Sequence, residues 1–302
     1  MNEWGVFGMS TSGKRLERLA QIDRNSGIFR CPHCFGAMQL AESSLRCVRG
    51  HSFDIARQGY VNFLSKPSPA TYDHRLFEAR RRMARTGLFQ PLETILGRLI
   101  LEASSGPDEP VKVLDAGCGE GSQLARIREG LSRSTARPVL TVGMDLAKEG
   151  IRRAAGEYPQ SLWCVADLAN APLADGAFTV LLNVLSPANY SEFRRITAAG
   201  GRVIKVLPGQ DYLKELRTIL YEGSPRQQYS NERTAALFRE NLRETQVQQV
   251  RYQVKLEEDW LESLLRMTPL SWGIKEESLH EVKLRGVREI TMDYVILTGR
   301  SE

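Results

Sequence analysis

Hydrophobic and polar positions change period several times along the chain. Five short apolar runs, "VKVLDA" (111–116), "VLTVGMD" (139–145), "SLWCVA" (161–166), "AFTVLLNVL" (177–185) and "GRVIKVLP" (201–208), are rich in Val and Leu. Runs of this kind suit strands covered on both faces. Between them lie segments with helical spacing, such as "SQLARI" (122–127) and "YSEFRRITA" (190–198), with a turn expected at Gly200-Gly201. Strand alternating with helix predicts an α/β fold with a parallel, doubly wound sheet. Downstream, "VQQVRYQVKL", "WLESLLRM", "LHEVKL" and "EITMDYVILTGR" predict a strand, a helix and a closing β-hairpin. Upstream, "FDIARQGYVNFL" (53–64) predicts two short strands about a glycine turn, followed by the Pro/Ser stretch "KPSPA". Then "HRLFEARRRMAR" (74–85) sets Leu76, Ala79 and Met83 at near-helical spacing, with Arg75, Arg80, Arg81, Arg82 and Arg85 around them. That pattern predicts a basic helix stopped at Gly87. The expected organisation is a loose tail over 1–27, a small module over 28–66, a basic helical linker over 67–110 and the α/β domain over 111–302.

Charge sharpens this division. The net charge of the 302 residues is +5, but residues 1–90 hold 14 Lys/Arg against 7 Asp/Glu, and the rest hold 27 against 29. A basic N-terminal part beside a near-neutral body suggests a polyanionic partner met by one end of the molecule, although an Arg-rich solvated surface gives the same count. Hydrophobic residues at 42% and charged residues at 25% fit a soluble globular protein with a real core. No run approaches the roughly 18 apolar residues of a membrane helix. The N-terminus shows no apolar stretch of signal-peptide type. Five cysteines, an odd number with three clustered, argue against a disulfide framework and for a reducing, cytoplasmic setting.

The cluster is Cys31-x2-Cys34, twelve residues, then Cys47-x3-His51. Two pairs that each bend around one ion match a tetrahedral zinc site of three sulfurs and one nitrogen. Gly36 and Gly50 stand where tight knuckles favour residues without a Cβ. Four protein ligands leave no position for water, so the predicted role is structural. His33, between two thiolates, is awkwardly placed to compete. Unligated buried cysteines are the bland alternative.

"VLDAGCGEGSQLARI" (113–127) is a second motif. Gly117, Gly119 and Gly121 form a turn from strand into helix, where backbone can approach a ligand and the helix start offers unpaired N–H groups. Asp115 at the strand end opposes a pyrophosphate but suits a ligand with a positive centre, such as the sulfonium and α-amino group of S-adenosylmethionine. Asp145 ends the next strand, where a carboxylate can accept both ribose hydroxyls, and Asp167 after the third is placed to read an adenine amino group. Leu146 and Leu168 beside them complete the predicted nucleoside contacts. Each acid alone reads as an ordinary strand-end residue; three at successive strand ends indicate a class I, Rossmann-like S-adenosylmethionine methyltransferase fold.

A zinc module of this spacing, followed by "HSFDIARQGYVNFL" and "VLDAGCGEG", resembles the RlmA family of bacterial 23S rRNA (guanine-N1)-methyltransferases, from Phe29 to the chain end. "SPANYSEFRR", "YLKELR" and "MTPLSW" look more like the RlmA(II)/TlrB branch, which modifies nucleotide 748 of hairpin 35 beside the macrolide-binding exit tunnel, than the branch that modifies 745. The resemblance implies zinc on Cys31, Cys34, Cys47 and His51, and cofactor contacts from Gly119, Glu120, Phe89 and Tyr212. Relatives often carry tyrosine at the position of Phe89 and histidine at that of Tyr212, so the aromatic ring is kept and the polar atom changes. At Asn183 relatives tend to have aspartate.

Guanine N1 must lose a proton, and no general base stands out. Asn183 can orient the base edge but cannot take its proton, and "SPANY" (186–190), faintly like the Asn-Pro-Pro-Tyr loop of amino-methylating enzymes, nominates Pro187, Asn189 and Tyr190 for substrate positioning. A plain loop with Asn189 or Ser191 capping a helix is the alternative. The zinc module and basic helix are expected to grip the RNA, naked or in an assembling subunit. A fold-stabilising cap or a homodimer contact is the other reading of the module. A small-molecule methyltransferase and a catalytically silent rRNA-binding protein remain open for the whole chain, as does macrolide resistance of the tylosin type.

Overall fold

A computed structural model describes residues 11–66, 74–104, 106, 109–257, 259–272, 274 and 276–301. The first helix, α1 (Thr11–Arg24), occupies most of the segment expected to be a loose tail. It holds because Ile22 is buried with Ile28 and Phe29 in one core cluster; residues 1–10 lie outside the described set. A three-stranded antiparallel sheet follows, β1 (Met38–Ala41), β2 (Ser44–Cys47) and β3 (Ser52–Asp54), in spatial order β1-β2-β3. After the turn at Gly59, β4 (Val61–Asn62) leaves this small sheet and joins the large one.

The stretch expected to be a linker is two packed helices, α2 (His74–Arg85) and α3 (Gln90–Ala103). Ala79, Met83, Leu92, Leu96 and Ile100 from them sit in the main core. Each of the Met, Leu and Ile side chains contributes about 1.5–3 kcal/mol when taken out of water, which is why these helices dock instead of bridging. The opening of the linker, 67–73, is outside the described residues.

The α/β alternation then runs as its apolar pattern predicts: β5 (Val111–Ala116), α4 (Ser122–Ser134), β6 (Val139–Asp145), α5 (Lys148–Glu157), β7 (Leu162–Val165), β8 (Phe178–Val184), α6 (Tyr190–Ile196) and β9 (Thr197–Pro208). Next come α7 (Lys214–Leu220), α8 (Glu232–Asn241), β10 (Arg243–Lys255), α9 (Trp260–Met267), α10 (Glu276–Leu284) and β11 (Glu289–Arg300). The eight-stranded sheet has the order β10-β11-β9-β8-β5-β6-β7-β4. β4 through β9 pair parallel, and β11 runs antiparallel between β9 and β10. Val111, Val113, Val180 and Leu182 meet helices on one face, and Leu114, Leu181, Phe178 and Val203 are buried on the other.

Two local expectations change. "LHEVKL" is part of α10, so the closing strand finds its partners in β10 and β9. Apolar positions at Leu279 and Val282 fit a helix as well as a short strand, and Val282 packs into the main core. Gly200-Gly201 does not separate helix from strand: β9 starts at Thr197, and the register slips between Thr197 and Arg202, with Gly200 at φ +74. Gly201 tolerates no side chain there, since a Cβ would lie 2.8 Å from the Thr179 carbonyl. The glycine pair is a bulge.

Candidate functional site: a glycine-lined cleft and a Cys3His cluster

The first switch point of the sheet lies between β5 and β8, where open α/β sheets place their ligands. Gly117, Gly119 and Gly121 all adopt the left-handed conformation, at φ +91, +59 and +78. The structure separates their reasons. A Cβ on Gly121 would stand 2.4 Å from the Trp163 ring and 2.7 Å from Ala154, and one on Gly117 would meet the Ser186 side chain. A Cβ on Gly119 would face only the guanidinium tip of Arg80, Nη1 at 3.2 Å. Gly119, itself buried, therefore has only the Arg80 guanidinium over it, whereas the other two are packed against side chains of the fold.

Three carboxylates converge on this loop. Asp115 is 3% exposed, and burial, with Asp145 and Glu120 nearby, pushes its carboxyl up to about 7. Asp145 accepts from the Gly119 and Ala147 amides, each at 2.8 Å. Burial raises its pKa, against these bonds and the charge of Arg80. Glu120 is also raised by burial and accepts from the Ser122 hydroxyl. Carboxylates gathered at one glycine loop favour a cationic ligand, and the residue set fits S-adenosylmethionine.

The predicted nucleoside contacts stand at one end of the strands. Ala166 N–H donates to the Asp145 carbonyl, which sets Asp167 beside Asp145. Asp167 is exposed and its carboxylate accepts from the Ala169 amide at 2.8 Å; Leu168 follows, half-buried. Leu146 is 42% exposed, which leaves an apolar surface beside Asp145. Tyr212 packs on Tyr294 with ring centroids 5.3 Å apart. Burial lifts its phenol to about 12, with the charge of Arg80 working against the rise. Phe89 is half-buried against the main core at the start of α3.

The loop after β8 departs from expectation. Asn183 is fully buried, and its amide donates to the carbonyls of Ala116 (2.8 Å) and Pro187 (3.0 Å). Its oxygen accepts from Lys205 Nζ at 2.5 Å, and Lys205 also donates to the Ser186 carbonyl. With every polar atom engaged, Asn183 shapes the loop and does not itself meet a base edge. Asn189 caps α6, accepting from the Glu192 amide and the Ser191 hydroxyl, the alternative weighed for it from sequence. Tyr190 turns inward, 7% exposed, edge-on to Phe193 and Phe238. Of this group Pro187 is the exposed member, and Leu185, at φ +50 and 44% exposed, stands next to it.

Lys205 escaped the sequence reading, although an isolated lysine within "VIKVL" is the signal that marks it. Burial brings its ammonium down to about 8. Replacing Asn183 with leucine should remove its partner and orphan two carbonyls, costing about 3 kcal/mol of stability. Adding Lys205→Met should recover much of that loss. The folded ammonium has the lower pKa, so the penalty is full below pH 8 and shrinks as pH rises through it. Denaturant unfolding at pH 7 and pH 9 measures both; an unchanged midpoint in the single variant would dismiss the network.

The second site is metal-like. Ligand atoms of Cys31, Cys34, Cys47 and His51 all lie within 4.8 Å of one another. Cys34 and Cys47 sulfurs are 3.5 Å apart, and His51 Nδ1 is 3.5 Å from Cys31 and 3.3 Å from Cys47. These are edges of a tetrahedron with bonds of about 2.0–2.3 Å, which fits zinc. Burial opposes ionisation of Cys47, but hydrogen bonds from Cys34, His51 and backbone amides outweigh it and bring the thiol to about 6. In the first knuckle the left-handed position is Phe35 (φ +60) rather than Gly36; in the second it is Gly50 (φ +84). His33 is exposed and stacks on Phe53, outside the ligand set.

A family model of the RlmA N-terminal zinc ribbon matches residues 29–67. Over 275 residues the chain is 41% identical to YxjB of Bacillus subtilis (strain 168), a protein whose name assigns it to 23S rRNA guanine-N(1) methylation. That alignment covers 90% of this chain and 96% of the relative. The chain belongs to the RlmA family. It is also 35% identical, over 276 residues, to the 23S rRNA (guanine(748)-N(1))-methyltransferase of Streptomyces fradiae, covering 90% of this chain and 96% of that one. In this RlmA-family chain the ribbon is welded to the α/β sheet: Val61 and Asn62 pair with Cys164 and Val165, and Phe29 bridges to Leu173. Three arginines of α2 are ion-paired, although Arg82 and Arg85, like Arg75, stay exposed. Arg81 and Arg85 pair with Glu157, and Arg82 with Asp259, so this helix is no bare phosphate-binding stripe. Among the described residues no helix is long and apolar enough to cross a membrane.

Proposed function

We propose that this chain transfers a methyl group from S-adenosylmethionine to N1 of a guanine in 23S rRNA, at nucleotide 748 of hairpin 35. The observation that carries the reading is the fusion of a Cys3His ribbon to the edge of an acidic, glycine-lined cleft. The relationship to the Streptomyces fradiae enzyme named for guanine 748 supports the position. Bound S-adenosylmethionine supplies a methyl group made electrophilic by its sulfonium. Asp145 would take the ribose hydroxyls by giving up its bond to the Gly119 amide, Asp167 would meet the adenine amino group, and Leu146 and Leu168 would flank the ring. Asp115 and Glu120 would favour the positive charges at the other end. In-line transfer asks mainly for positioning, and Asn183 and Lys205 serve this by fixing the loop that carries Leu185 and Pro187. N1 lies on the Watson–Crick edge, so the target guanine must be unpaired. The ribbon, held in line with the cleft by β4, is the arm for the hairpin. The work is cytoplasmic, on naked rRNA or an assembling subunit, and protection against tylosin-type macrolides is the expected consequence.

Incubation of the protein with S-adenosylmethionine and unmodified 23S rRNA should create a reverse-transcriptase stop one nucleotide before position 748, absent without cofactor. A stop at 745 would keep the reaction and overturn the position. No stop, with cofactor bound, would reject rRNA guanine-N1 methylation.

A further inference from the structure

We propose that Arg80 is the ligand of the cofactor's terminal carboxylate, clamping the amino-acid end of S-adenosylmethionine onto Gly119. This rests on the methyltransferase reading above. The amino-acid end of that cofactor bears an ammonium and a carboxylate close to the sulfonium. Asp115, Glu120 and Asp145 suit the two cations and repel the anion, so a cleft made of these acids alone holds the ligand poorly. A cation is needed on the loop itself.

The structure places one there from outside the motif. Arg80 Nη1 stands 3.2 Å from the point a Gly119 Cβ would occupy. Its charge works against the burial-driven rise at Glu120, Asp145 and Tyr212, so it lies near all three.

Arg80 is also rigidly presented. Leu76, Phe77, Ala79, Met83 and Ala84 bury one face of α2. Phe77 Cε1 comes within 3.1 Å of a Cβ position on Gly150, and the Gly119 carbonyl within 2.7 Å of the same point. Arg81, Arg85 and Arg82 tie the flanks of the helix to Glu157 and Asp259. A guanidinium held this way offers two parallel N–H donors to a carboxylate, a geometry a lysine cannot reproduce.

The test is calorimetric binding of S-adenosylmethionine and of its decarboxylated analogue to the full chain. Arg80→Met should weaken S-adenosylmethionine by about 10–100-fold and leave the decarboxylated analogue within about twofold of wild type. Arg80→Lys should show a smaller loss with the same selectivity, and it carries the test if the methionine variant does not fold. Equal weakening of both ligands would overturn the proposal and make Arg80 a helix-positioning residue. Tighter binding of S-adenosylmethionine by Arg80→Met would overturn it too, showing that the side chain fills the ligand's place. If the wild-type chain binds neither compound, the methyltransferase reading falls with it.

Discussion

Serine at both Cys31 and Cys34 should give a protein that binds S-adenosylmethionine within about threefold of wild type and methylates 23S rRNA at least 100-fold more slowly. The first-order reason is size. The ribbon spans roughly 39 residues, and modules below about 40 residues usually need a metal or a disulfide to fold. Its own apolar set is small, with Met38, Leu45, Phe53, Ile55 and Phe63 as main members. Structural zinc in peptides of this kind contributes about 10–16 kcal/mol, far more than such a core can replace. The cleft is built from β5, β6, α4 and α2, none of which carries a ligand of the metal. Zinc content, cofactor affinity and primer-extension stops measured on one preparation separate the effects. A variant free of zinc that still methylates rRNA at the wild-type rate would remove the ribbon from substrate handling.

A single methyl group at Gly121 should be almost as damaging, by an unrelated route. Alanine there must adopt φ near +78, a conformation costing about 1–2 kcal/mol for a residue with a Cβ. The new carbon would also press on Trp163, 2% exposed, and on Ala154 inside α5. Neither yields cheaply: a Cβ on Gly143 would strike the same ring from below at 2.2 Å, and the indole N–H is bonded to the Tyr158 carbonyl. Overpacking of this sort adds about 1–3 kcal/mol. Gly121→Ala should therefore lose about 2–5 kcal/mol of stability and most of its cofactor affinity, since relief of the clash moves the loop. Gly119→Ala carries the same left-handed backbone cost of about 1–2 kcal/mol at φ +59 but meets only the guanidinium of Arg80, so it should lose less stability than Gly121→Ala while cofactor binding suffers. Equal unfolding midpoints for Gly121→Ala and wild type would refute the packing argument.

Motifs read locally, and contacts between distant segments do not. The zinc ligands and the three strand-end acids were legible because their chemistry depends on spacing along the chain. β5 through β9 were legible because a strand covered on both faces must be apolar throughout. The basic stretch 74–85 was only half legible: five arginines draw the eye, yet the partners of three of them, Glu157 for Arg81 and Arg85 and Asp259 for Arg82, lie more than 70 residues away. Tyr190 gave a similar lesson. A motif-like loop suggested stacking on a base, and the ring instead fills a gap between α6 and α8 that only the tertiary fold creates. Leu279 and Val282 fit two periods equally well, so α10 could not be told from a strand over six residues.

The pairing of β4 with β7 has a consequence for life under metal shortage. A parallel sheet that ended at β7 would show a bare row of amides and carbonyls, and bare rows recruit other chains. At the opposite margin β10 guards itself with Arg, Gln and Lys side chains along its length. β7, reading "LWCV", has no such guard. Its cover is Val61, Asn62 and the Phe63 amide, delivered by the ribbon. Starved of zinc, the molecule would expose a sticky seam before it lost its catalytic half, so clumping and clearance by proteases would come ahead of any slow decline in turnover.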